Sequence, residues 1–225
     1  MRKIVKLLRF GSTYIRLVRD TGRLDLVFAL GDALADPNEP APALTDMLGR
    51  PGVAEYLAGS MVPLRVELVG LRAMPEGSLG RAFASFLDQR GLDPQGLYHS
   101  DAGQVGSEID RFKLHMERTH DLWHTVLGFE TDVAGELGLQ AFTMAQLGSP
   151  LGAVILSAGL LNGLLLAPED LTRRMEAIVR GWRLGQSLRP LFGADWASML
   201  GWQLGEVRAH FGVRQEDVRV AAMAA

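Results

Sequence analysis

Residues 119–142 read THDLWHTVLGFETDVAGELGLQAF, and the breaks inside this stretch decide how the chain folds. Residues 105–127 can run largely as a helix, opened by Ser107. Gly128 is a natural stop, because glycine alone takes up left-handed backbone at no steric cost. Thr131 followed by Asp132 is a natural N-cap, so a second helix is predicted from about residue 132. Apolar residues recur at spacings of three and four, which is helical and not strand-like.

Upstream, Leu79, Ala82, Phe83, Phe86 and Leu87 mark an amphipathic helix closed by Gly91. Thr45 is read as the cap of a short helix reaching Leu48, Arg50-Pro51-Gly52 as a turn, and residues 53–60 as another short helix. The stretch 36–42, DPNEPAP, holds three prolines and is predicted to be a loop. Residues 74–78 and the polar 93–104 are further breaks. Only 62–69 alternates, weakly, and Pro63 argues against an interior strand. With no repeat and no linker, the expectation is an all-α fold, one domain over 1–225, whose helix break supplies a metal site.

The composition of the 225 residues, 48% hydrophobic and 22% charged, is that of a globular protein with a full-sized core. There is no cysteine, which excludes disulfides, cysteine-ligated zinc, thiolate-held iron–sulfur clusters and a thiol nucleophile. The net charge of −3 excludes general nucleic-acid binding by the whole molecule, but it is unevenly spread. Residues 1–23 carry +6 and the remainder −9. On a helical wheel Ile4, Leu7, Leu8, Gly11, Ile15 and Val18 share one side, and Arg2, Lys6, Arg9 and Arg16 lie opposite. This basic amphipathic helix suits an anionic membrane surface, and equally a helix whose apolar face joins the core. A mitochondrial transit peptide ranks below both, because the apolar pattern runs on into Leu24, Leu26, Val27 and Leu30. Lys6 and Arg9 interrupt any secretory core, so the expected compartment is the cytoplasm.

Residues 137–168 contain no charged side chain, and Gly148-Ser149-Pro150 divides the run. Its second half, 151–167, is at the lower edge of a membrane-spanning length. Gly152, Gly159, Asn162 and Gly163 weaken that reading, and a buried central helix is preferred. Small residues at 159 and 163 would admit another helix or a lipid chain. In the functional form of this reading this helix and the preceding one wall a greasy pocket for an apolar ligand, with Phe142, Leu156, Leu160, Leu161 and Leu164 as candidate lining.

On the helix before the break, His120 and His124 stand one turn apart, about 40° around the axis, and Asp121 lies within about 100° of His120. On a straight helix Glu136 would sit about 18 Å beyond His124, out of reach of a shared ion. The break at Gly128 removes that obstacle. Two imidazoles and two carboxylates suit zinc, manganese, iron(II) or cobalt, with room for water or substrate. The plainer alternative is a pair of surface or capping histidines. The zinc-protease helix does not apply, since Asp121 stands where that motif has Glu. A metal-dependent phosphohydrolase would need a further upstream His and a downstream Asp; His115 is too near in sequence and His99 lies in a loop, so this reading stays open but ranks below the others.

The motif His120-Asp121-x-x-His124-x11-Glu136 resembles that of the coenzyme Q biosynthesis protein 4 family. PEGSLGRAF (75–83), GWRLGQSLRPLFGADW (181–196) and EVRAHFGV (206–213) extend the resemblance over 75–213. It implies an all-α protein of ubiquinone biosynthesis with a divalent metal, usually zinc, held by His120, Asp121, His124 and Glu136. It also implies peripheral membrane attachment, binding of a prenylated quinone precursor or other isoprenoid lipid, and association with other quinone-biosynthesis proteins. Homodimerisation stays open. The family is linked to replacement of a ring carboxylate by hydroxyl, so two classes are expected: a metal-dependent decarboxylase, or a non-catalytic lipid-binding scaffold. Abundant Ala, Arg and Gly with three lysines looks bacterial, which would place the chain at the cytoplasmic side of an inner membrane.

Overall fold

The computed structural model describes residues 2–36, 40–59, 64–93 and 106–218, with the side chains of 2, 3 and 51 excepted. Much of the loops expected at 36–42 and 93–104, and His99, fall outside these residues. The helices in order are α1 (Arg2–Arg19), α2 (Leu24–Leu34), α3 (Pro42–Leu48), α4 (Pro51–Ala58), α5 (Leu68–Arg72), α6 (Leu79–Arg90), α7 (Glu108–Leu127), α8 (Val133–Leu147), α9 (Pro150–Leu166), α10 (Leu171–Ser187), α11 (Trp196–Met199) and α12 (Leu204–Phe211). The fold is all-α. Extended pairing among the described residues is one isolated antiparallel bridge, Ser78 with Gln203.

Several helices begin on a proline expected to lie outside them. Pro42 opens α3, ahead of the predicted cap at Thr45, and Pro51 opens α4. The first turn has no use for the missing N–H, and the fixed φ of proline suits it. Caps read from the sequence are in place at Ser107, whose hydroxyl accepts from the Asp110 N–H, and at Gly91 and Gly128, both left-handed; Gly148, also left-handed, closes α8. The N-cap of α8 is Asp132, one residue beyond Thr131.

The chain divides into two compact units, residues 1–50 with 130–187, and 51–129 with 188–225. Each is assembled from two chain segments, so no linker marks them in the sequence.

In the first unit α8 and α10 cross with their backbones close together. A Cβ added at Gly181 would run into the Gly138 carbonyl, so only glycine permits this approach. Against them lies α9, where Gly159 faces the Leu137 side chain and Gly163 faces Leu171 and Arg174. The small residues of α9 thus admit other helices. Leu17, Val18, Leu26, Leu30 and Ala158 join α1, α2 and α9 in one core cluster.

One expectation is corrected here. The uncharged run is not buried throughout: α8 is largely interior, but α9 buries Gly152, Ala158, Gly159, Asn162 and Gly163 and leaves Leu161, Leu164, Leu165 and Leu166 exposed. A helix that is apolar on every side gives no periodic signal of which face turns inward; close packing selected the small residues. The candidate tail-binding residues differ in exposure. Phe142 is fully buried, Leu156 and Leu160 are half-buried, and Leu164 is 61% exposed. The apolar stripe of α1 is split likewise: Val18 is buried, while Ile4, Leu7, Leu8 and Ile15 face solvent. No described helix is long and apolar enough to cross a membrane.

In the second unit α6 packs on α7. The segment before α6 is clamped by the chain entering α12: Leu79 N–H donates to Trp202 O (2.8 Å), Gly80 N–H to Leu200 O (2.9 Å) and Leu204 N–H to Gly77 O (2.8 Å). Tyr56, Phe112, His115 and Phe192 form an aromatic cluster. Within it His115 Nε2 accepts the Gly193 N–H at 3.1 Å, and burial pushes its pKa down to about 4. His115 is thus a structural residue.

Candidate metal centre

The site is built around the turn that ends α7. Gly128 adopts φ 68°, and its N–H and that of Phe129 both donate to the His124 carbonyl. The Phe129 carbonyl then faces the His124 ring, 3.1 Å from Nδ1. A carbonyl only accepts, so Nδ1 carries the hydrogen and the lone pair of the neutral ring lies on Nε2. Phe86 of α6 stacks on the same ring, centroids 5.8 Å apart and planes 24° apart.

His120 lies one turn earlier, its ring 4.9 Å from that of His124 and inclined 70° to it. Its Nδ1 is 3.2 Å from Asp121 Oδ1. This contact likewise favours hydrogen on Nδ1 and leaves Nε2 as the donor to an ion. Burial pushes the Asp121 carboxyl up, but the hydrogen bond from His120, and the attraction of the His120 and His124 rings wherever they are protonated, outweigh it, and its pKa lies below the ordinary value.

Across the turn, Asp132 caps α8. Its Oδ1 accepts the Gly135 N–H at 2.8 Å, and its Oδ2 accepts from Arg173 of α10 at 2.5 Å. Glu136 follows in the first turn of α8. Ligand atoms of His120, His124 and Glu136 all lie within 4.8 Å of one another.

The donor set fits a divalent ion of the zinc, iron(II), manganese or cobalt class. Two imidazole nitrogens are aimed by hydrogen bonds at their far sides, and one carboxylate joins them. Three of the four residues predicted from the sequence thus form a group able to hold a metal. Asp121, the fourth, meets the His120 ring. The contributions of Phe86, the Phe129 carbonyl and Arg173 were not visible in the sequence: Phe86 reads there as an ordinary core position, and a main-chain carbonyl carries no residue signal.

The model of the family described as coenzyme Q (ubiquinone) biosynthesis protein Coq4 matches residues 6–217. The mitochondrial ubiquinone biosynthesis protein coq4 of Talaromyces stipitatus is 29% identical over 92% of this chain and 71% of its own length. The corresponding Yarrowia lipolytica protein is 28% identical over 87% of this chain and 74% of its own. A Nostoc punctiforme protein of known crystal structure, provisionally assigned to ubiquinone biosynthesis, superposes with a TM-score of 0.77 at 29% identity, over 92% of this chain and 97% of that one.

Proposed function

Because the chain belongs to the Coq4 family of coenzyme Q (ubiquinone) biosynthesis proteins, we propose that it binds a prenylated aromatic acid at a membrane surface and, with the help of one divalent metal, removes its ring carboxylate as carbon dioxide, a proton taking its place on the ring. The observation that carries this reading is the convergence of His120, His124 and Glu136 across the helix break. Zinc suits two imidazoles and a carboxylate best, and Asp121 either orients His120 or joins the ligands. The ion would supply Lewis acidity toward a carboxylate or phenolate oxygen. The protein's own part is to aim two neutral imidazoles: the Phe129 carbonyl fixes one and Asp121 the other, while Phe86 holds the plane of the first.

The outward leucines of α9 and the basic, apolar-faced α1 support attachment to a lipid surface, at the cytoplasmic side of a bacterial inner membrane. The same faces favour a second reading, a lipid-presenting scaffold without turnover that gathers other quinone-biosynthesis proteins. On either reading the prenyl tail lies along an open face bearing Leu160, Leu161 and Leu164 instead of in a sealed tunnel.

The test is a strain lacking this protein, complemented with wild type, His124→Ala or Glu136→Ala, with quinone intermediates measured by mass spectrometry. Accumulation of the ring-carboxylated precursor in both variants, with bound metal lost and the protein level unchanged, supports the enzyme. Full quinone synthesis by variants that hold no metal overturns it.

A further inference from the structure

The carbonyls at the end of α7 have lost their helical partners. The Gly128 and Phe129 N–H groups both turn back to His124 O, so Thr125 O and Val126 O receive no main-chain donor from the turn. Arg208 of α12 takes both: Nε donates to Val126 O at 2.8 Å, and a terminal nitrogen to Thr125 O at 3.0 Å. Among the described residues Arg208 forms no ion pair with a carboxylate, although its side chain is partly buried. A cation at a helix C-terminus is favoured by the partial negative charge there, and the planar fork of arginine presents its donors to two carbonyls in a fixed geometry that the flexible, point-like ammonium of lysine lacks. The two carbonyls belong to the residues directly after His124, in the turn whose next carbonyl but two, that of Phe129, sets the His124 tautomer.

We propose that Arg208 is a positioning residue for the metal centre: its guanidinium locks the last turn of α7 so that the His124 ring and the Phe129 carbonyl keep their mutual placement. The proposal rests on the metal reading above. It gives a role to the segment 206–213, which supplies none of the predicted ligands. Arg208 acts through His124 and touches neither ion nor substrate.

The test uses the full chain and cobalt(II) as the probe, its visible absorption bands reporting both affinity and ligand field, with thermal melting in parallel. Arg208→Met is expected to weaken cobalt binding about 10- to 100-fold, the range for residues that orient metal ligands, and to shift the bands. Arg208→Lys, which keeps the charge and loses the fork, should fall between it and wild type. Val207→Ala, at the fully buried neighbour on α12, controls for loosened packing. It should melt at lower temperature yet bind cobalt as wild type does.

Wild-type affinity and unshifted bands in Arg208→Met overturn the proposal and leave the metal reading standing. Equal loss of cobalt in Val207→Ala at an equal fall in melting temperature also overturns it. Failure of the wild-type chain itself to bind cobalt overturns the metal reading and this inference together. If Arg208→Met does not fold, Arg208→Lys decides: weakened cobalt with an unchanged melt supports the role, and unchanged cobalt removes it.

Discussion

Asn162 of α9 donates its side-chain amide to the main-chain carbonyl of Val18, in the last turns of α1, at 2.7 Å. Its other face accepts from Arg174 of α10 at 2.8 Å, and the same guanidinium reaches Gly159 O and Asp170. One buried amide therefore ties three helices of the first unit. Asn162→Leu keeps the branched outline of the side chain but strands a carbonyl and removes one acceptor from a buried cation. We expect a loss of about 1–3 kcal/mol in urea denaturation. A change under about 0.5 kcal/mol would mean that water or a side-chain shift replaces the amide.

The α8–α10 crossing gives a sharper mutation. Gly181→Ala places a methyl against the Gly138 main chain, which cannot yield as a flexible side chain can. The helices must separate, at a cost of about 1–3 kcal/mol or more. Gly205→Ala in α12, where an added Cβ meets nothing within 4 Å, should be neutral or stabilising by up to about 1 kcal/mol from helix propensity. Melting temperatures moving in the same direction for the two variants would contradict the close approach.

His115 predicts a pH dependence. Its pKa is about 4 in the fold against an ordinary 6.5, with burial as the cause, so between these values the unfolded chain binds the extra proton. Stability from this group is fully present above 6.5 and is lost as pH falls toward 4. The whole effect is up to about 3 kcal/mol. In urea melts at pH 7.5 and pH 4.5, His115→Gln should show a smaller drop between the two than wild type. An identical drop in both would assign the acid sensitivity elsewhere.

The membrane reading rests on leucines that are already exposed, so it can be tested without disturbing the core. Leu7 is 71% and Leu8 67% exposed. Changing both to Asp should abolish flotation with anionic vesicles while leaving the melting temperature unchanged. Changing Arg9, Arg16 and Arg19 to Glu should weaken binding most at low salt, since each basic residue near such a surface contributes about 1 kcal/mol and is screened by salt. Undiminished flotation of the Leu7 and Leu8 variant would show that α1 is not the contact.

The helical class, the stop at Gly128, the restart near Asp132 and the residues whose chemistry suits a metal are all legible in the order of the residues. These signals are local: a cap, a left-handed glycine and a one-turn spacing act within a few residues. Features that depend on partners far along the chain were set by packing. An all-apolar α9 has no periodic mark of an inside, so the choice of its glycine and alanine face was made by helices that could approach it closely. The amphipathic pattern of α1 could not say which apolar residues would be covered; the core takes Leu17 and Val18 and leaves Leu7 and Leu8 outside. Asp121 shares a helix with His120 and His124, and spacing alone does not separate a carboxylate that binds an ion from one that meets an imidazole edge. Arg173 and Arg208 lie 41 and 82 residues from the groups they hold. No local rule links such pairs, because the hydrogen bonds exist only once α10 and α12 have packed.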